Sequence, residues 1–90
     1  MKPHPRVLLT KLGDESGVLL HLDSKNYYTL NPTGVFVWER MVERGGADAA
    51  ALVDDLLEAF DVDREQAASD VGTLLEELKS EGLIETSDEA

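Results

Sequence analysis

The sequence predicts an α+β fold, a winged helix-turn-helix in which a three-stranded antiparallel sheet precedes three helices (βββααα). Two observations carry this. The apolar period changes once along the chain, from two residues to 3.6, near position 31. The strand-like runs before that point are joined by short turn clusters, which favours an antiparallel meander. Ninety residues bound the chain to one domain, expected to span 1–90 with order over about 6–85 and frayed termini.

The first strand is expected over residues 6–12, short and rich in Val and Leu. Asp14-Glu15-Ser16-Gly17 is a turn cluster, residues 18–22 form a second strand, and Asp23-Ser24-Lys25-Asn26 turn again. Tyr27-Tyr28-Thr29-Leu30 is aromatic and β-branched, as a strand requires. Asn31-Pro32 then starts a helix, because Asn accepts from open backbone N–H groups and Pro suits the first helical position. Val35, Phe36, Trp38, Met41 and Val42 give its apolar stripe, with Trp38 read as core, and Gly45-Gly46 ends it. The second helix runs from a cap at Asp48 to Phe60, with Leu52, Val53, Leu56 and Leu57 on one face. Asp63 caps the third, with Gln66 as capping-box partner. Ala67, Val71, Leu74, Leu75 and Leu78 line one side of it. Gly82 stops it, and Leu83-Ile84 is expected to fold back onto the core.

Charge divides the chain. The net charge is −11; residues 1–47 carry +1 and residues 48–90 carry −12. The third helix holds Arg64 and Lys79 against Glu65, Asp70, Glu76, Glu77 and Glu81. Nucleic acid requires Lys and Arg to neutralise phosphates, so no nucleic-acid partner is expected. A basic or neutral peptide suits this surface better. Only Val7-Leu8-Leu9 follows the polar start, and no run approaches the roughly 18 apolar residues of a membrane span. No membrane association is expected, and a cytoplasmic setting is.

Catalytic chemistry is not found. Without Cys there is no disulfide framework and no thiolate metal site. His4 lies in a start expected to be mobile. His21 alternates with Leu20 and Leu22 and is expected to face solvent. Neither has metal-ligand spacing. The acid pairs Asp54-Asp55, Glu76-Glu77 and Asp88-Glu89 point about 100° apart on a helix, so they read as solvated surface. No Ser has a nucleophile elbow and no Gly cluster cradles a phosphate. No cofactor is expected, and the chain reads as a binding protein rather than an enzyme.

The segment Tyr27-Tyr28-Thr29-Leu30-Asn31-Pro32-Thr33-Gly34, the helix containing Trp38, and Asp70-Val71 with Leu74, Leu75 and Leu78 leading to Glu81-Gly82-Leu83-Ile84 resemble one family. It is the PqqD-like family, the RiPP precursor recognition elements, and the likeness covers roughly residues 6–85. The resemblance implies a domain that binds the leader of a ribosomally made precursor peptide and presents it to an enzyme. At this length it resembles the small B protein of split lasso-peptide clusters, which serves a leader peptidase. PqqD itself, serving a radical-SAM enzyme, is the alternative, and a winged-helix regulator is the reading from another class. In the family the leader adds as a strand beside the third strand and against the third helix. Carried over, the peptide-binding residues are Asn26, Tyr27, Tyr28, Thr29 and Leu30 with Asp70, Val71, Leu74, Glu77 and Leu78. Either Tyr27 or Tyr28 then faces the groove. Asp70, Glu76 and Glu77 stand ready for Lys or Arg of the guest, while Leu75 is expected to be interior.

Overall fold

Alternation along the strands sends successive side chains to opposite faces of the sheet. The computed structural model describes residues 1–85. Strands β2 (Val7–Lys11), β3 (Gly17–His21) and β4 (Tyr27–Leu30) form an antiparallel sheet in the order β2-β3-β4. Helices α1 (Pro32–Arg44), α2 (Ala49–Ala59) and α3 (Arg64–Ser80) follow, so the α+β order βββααα holds. Leu19 and Leu30 enter the core from the sheet and meet Val37, Trp38, Met41, Leu52, Leu56, Val71, Leu75 and Leu78.

Each helix starts where a side chain accepts an open N–H. Asn31 Oδ1 takes Gly34 N–H at 2.8 Å, Asp48 Oδ1 takes Ala51 N–H at 2.9 Å, and Asp63 Oδ1 takes Gln66 N–H at 2.8 Å. The expected capping box at α3 is half made: Gln66 Nε2 donates to Asp70 Oδ1 instead of returning to Asp63. Gly45 closes α1 with φ 68°, a left-handed conformation that Gly adopts without strain. In α1 the buried stripe includes Val37, while Val42 is exposed, contrary to the stripe expected from the sequence. Both stripes fit a 3.6 period, and contact with the sheet selects the one that is buried.

Two short strands escaped the sequence pattern. β1 (Lys2–Pro3) pairs with β5 (Ile84–Glu85), Lys2 opposite Glu85 and Pro3 opposite Ile84. His4 N–H donates to Leu83 O at 3.0 Å, and Ala47 N–H donates to Met1 O at 2.7 Å. The segment before residue 6, expected to fray, is thus tied to the fold by its backbone. The pairing relies on Gly82 (φ +74°), after which Leu83 N–H reaches back to Leu78 O at 2.9 Å and the chain reverses. Leu83 and Ile84 are buried as expected. The fraying expected over 85–90 falls, beyond Glu85, outside the described residues.

Two polar residues sit inward against expectation. His21 shares its face with Leu19, so the same alternation that turns Leu20 to the other face buries the imidazole to 9% exposure. Burial is tolerated because Nδ1 accepts Asp23 N–H at 3.2 Å and the ring packs at a tilt against His4, centroids 4.6 Å apart. Asp55, read as solvated surface, is buried between α1 and α2. Arg44 holds it by two bonds of 2.8 and 2.7 Å, and Arg40 by one of 3.3 Å. The Arg44 hydrogen bonds lower the Asp55 pKa against the opposing effect of burial, and Arg40 adds to them. A depressed folded pKa stabilises above the unfolded value and is lost as pH falls. Asp55→Asn should therefore cost about 1–3 kcal/mol in urea unfolding at neutral pH. The gap to the parent should narrow below about pH 4. An unchanged midpoint at neutral pH would contradict the anchor.

Candidate functional site

β4 has a hydrogen-bonded neighbour, β3, on one side only. Which of its backbone groups are engaged follows from the ladder. Leu22 N–H to Arg6 O and Leu12 N–H to Ser16 O, both 2.8 Å, set even-numbered β3 residues toward β2. Odd-numbered β3 residues then bond β4, and the His21 N–H to Asn26 O bond of 2.9 Å agrees. Tyr28 and Leu30 lie opposite Leu19 and Gly17 and turn their backbone groups to β3. Tyr27 and Thr29 turn theirs outward, to an edge that no strand among the described residues covers.

Beside that edge, α3 stands off from β4 and leaves a trough of about 310 Å³. β4 contributes Tyr28, Thr29 and Leu30, and α3 contributes Asp70, Val71, Thr73, Leu74 and Glu77. The start of α1 closes one end with Asn31, Thr33, Gly34 and Val37. Leu30, Val37 and Val71 are buried, Leu74 is half-buried, and Asp70, Thr73 and Glu77 are exposed. Apolar surface therefore lies deep and carboxylates lie along the α3 rim. Gly34 is there because the corner is tight: a Cβ would meet Leu30 Cδ2 at 3.1 Å and Asn31 Oδ1 at 3.3 Å.

Seven of the ten residues carried over from the sequence line this trough: Tyr28, Thr29, Leu30, Asp70, Val71, Leu74 and Glu77. Three do not. Asn26 sits in the turn before β4 and accepts from His21. The Tyr27 side chain points to the opposite face of the sheet and is 73% exposed, though its backbone lies on the open edge. Leu78 is fully buried and belongs to the core. The choice between the two tyrosines falls on Tyr28. Sequence reasoning missed Asn31, Thr33, Gly34, Val37 and Thr73 as lining residues. Thr73 was within reach of it, lying three residues after Asp70 and four before Glu77 on one helix face. The α1 residues were not, because their approach depends on the angle at which the helix leaves β4.

One side-chain bond joins the two walls: the Tyr28 hydroxyl donates to Glu77 Oε1. That bond first, then burial, then the charges of Glu77 and Glu81 push the phenol up to about 12. The lining contains no His, Lys or Arg. Among the described residues no group of three His, Asp or Glu is placed to hold a metal ion, and no helix is long and apolar enough to cross a membrane.

The open edge of the meander faces the third of three helices, and comparison with known proteins places the chain among the PqqD-like RiPP recognition elements. The chain belongs to the PqqD family: residues 16–84 match the family model described as coenzyme PQQ synthesis protein D. Two solved structures are similar over nearly the whole chain. TbiB1, in complex with the TbiA(beta) leader peptide, is 28% identical with a TM-score of 0.82, covering 99% of this chain and 100% of that one. A lasso peptide synthetase B1 complexed with its leader peptide is 25% identical with a TM-score of 0.77, covering 94% and 96%. No curated protein matches.

The Tyr28–Glu77 contact is open to direct measurement. A raised folded pKa stabilises fully below the unfolded value, about 10, and the effect is lost as pH rises toward 12. Subtracting the ultraviolet titration of Tyr28→Phe from that of the parent should leave a phenol transition near pH 12. A difference transition near pH 10 would mean that the contact does not persist in solution.

Proposed function

We propose that this chain captures the leader segment of a ribosomally made precursor peptide and delivers it to a processing enzyme, a leader peptidase of the lasso type. The observation that carries this is the open backbone edge at Tyr27 and Thr29 beside a trough with an apolar floor. A guest strand would satisfy their N–H and C=O groups, and alternate guest side chains would drop toward Leu74 and Val71. Backbone bonding places little demand on guest sequence; the trough supplies selection. Both similar structures hold leader peptides, which supports the same occupant here.

The chain acts as one domain and catalyses nothing itself; the bond chemistry belongs to the partner enzyme. Likeness to a lasso peptide synthetase B1 favours the peptidase. The family description, coenzyme PQQ synthesis, favours a second reading in which the partner is a radical-SAM or other tailoring enzyme. The gene beside this one separates them: a transglutaminase-like peptidase selects the first and a radical-SAM protein the second.

An apolar guest residue buried at Leu74 contributes about 1.5–3 kcal/mol. Ordering the guest offsets about 2–5 kcal/mol of the gross interaction. Leu74→Arg should therefore weaken binding about tenfold to hundredfold in fluorescence anisotropy with a labelled leader from the neighbouring precursor gene. Its circular-dichroism melt should stay close to the parent, since Leu74 is only half-buried. Undiminished affinity would place the guest elsewhere. Thr29→Pro removes an N–H that β3 does not use. It should weaken the same complex while leaving the sheet intact, and full affinity would argue against strand addition.

A further inference from the structure

Cations in this fold are almost all committed away from the trough. Lys2 pairs with Glu85, Arg6 with Asp23, Lys11 with Glu39, Arg40 and Arg44 with Asp55, and Arg64 with Asp54. Lys25 and Lys79 have no acid within 4.0 Å among the described residues, and neither lines the trough. The two trough carboxylates are the reverse case. Asp70 accepts from the neutral amide of Gln66 and Glu77 from the neutral hydroxyl of Tyr28. Neither has a cation within 4.0 Å among the described residues, and each has a second oxygen with no protein donor there.

Their spacing is also specific. Asp70 and Glu77 lie two turns apart on one α3 face, about 10.5 Å along the axis, with Leu74 between them. A guest strand places same-side residues about 6.8 Å apart. In a guest strand that runs along α3, a residue seated on Leu74 brings its same-side neighbours, two positions before and after, alongside the two carboxylates.

From this we infer that the trough selects peptide segments in which a Lys or Arg stands two residues from an apolar side chain on the α3-facing side of the strand. This rests on the peptide-capture reading and names the guest chemistry that the site takes. Glu76, also on α3, does not line the trough and has no part in the selection.

The test is selection of random dodecapeptides displayed on phage by three proteins: the parent, the Asp70→Asn/Glu77→Gln variant and the Glu58→Gln/Asp61→Asn variant. The last removes the same charge from exposed acids outside the trough. The parent should enrich a basic residue at an offset of two from an apolar one. Asp70→Asn/Glu77→Gln should keep the apolar preference and lose the basic one, while Glu58→Gln/Asp61→Asn keeps both. An enriched synthetic peptide with its Lys or Arg changed to Gln should bind the unaltered protein about two- to fivefold more weakly at low salt. That measurement does not depend on any variant folding. Apolar enrichment without a basic residue, or basic enrichment that survives Asp70→Asn/Glu77→Gln, overturns the inference and leaves peptide capture standing. No enrichment by the parent overturns peptide capture itself, and the inference with it.

Discussion

The fold depends on β4 staying half-bonded at the sheet edge that faces α3. An open β edge is ordinarily a hazard, because a second copy can pair with it. Here α3 flanks the edge and lines its approach with Asp70 and Glu77, and the surrounding helical half carries −12. Two copies meeting edge to edge bring like charges together, whereas an unlike chain does not meet that barrier. The Tyr28–Glu77 bond ties α3 to β4, the core contacts of Val71, Leu75 and Leu78 hold the helix there, and Gly34 lets the start of α1 close against Leu30.

Two sets of carboxylates stand in contrast. The Asp55 carboxylate sits inside with its arginines and joins α1 to α2. The trough acids remain at the rim with neutral donors only. Burial makes the first group a structural tie, because a buried charge must be matched. Exposure leaves the second group free to exchange partners at small cost. A strongly acidic composition hides this distinction, since both groups count alike toward net charge.

Much of the fold was legible in the sequence because local chemistry specified it. Asn31-Pro32, Asp48 and Asp63 start helices, and Gly45 and Gly82 end them, through interactions spanning a few residues. Most of the candidate site was legible through resemblance, on the strand and on α3. What failed was non-local. Alternation assigns His21 and Leu20 to opposite faces without saying which is inside; the position of Leu19 in the core decides it. Val37 and Val42 compete for one stripe until the sheet is placed against α1. The two-residue strands β1 and β5 are too short for any period, and their pairing joins residues more than 80 positions apart. The contribution of Asn31, Thr33 and Gly34 to the trough depends on a corner angle that no sequence pattern encodes.

The pairing of Lys2–Pro3 with Ile84–Glu85 sets the entry and exit of the backbone side by side. Neither strand lines the trough. A polypeptide whose two ends leave from adjacent points can be grafted into a loop of a larger host, since the host need only bridge a few ångströms. A splice at that point would leave the trough undisturbed.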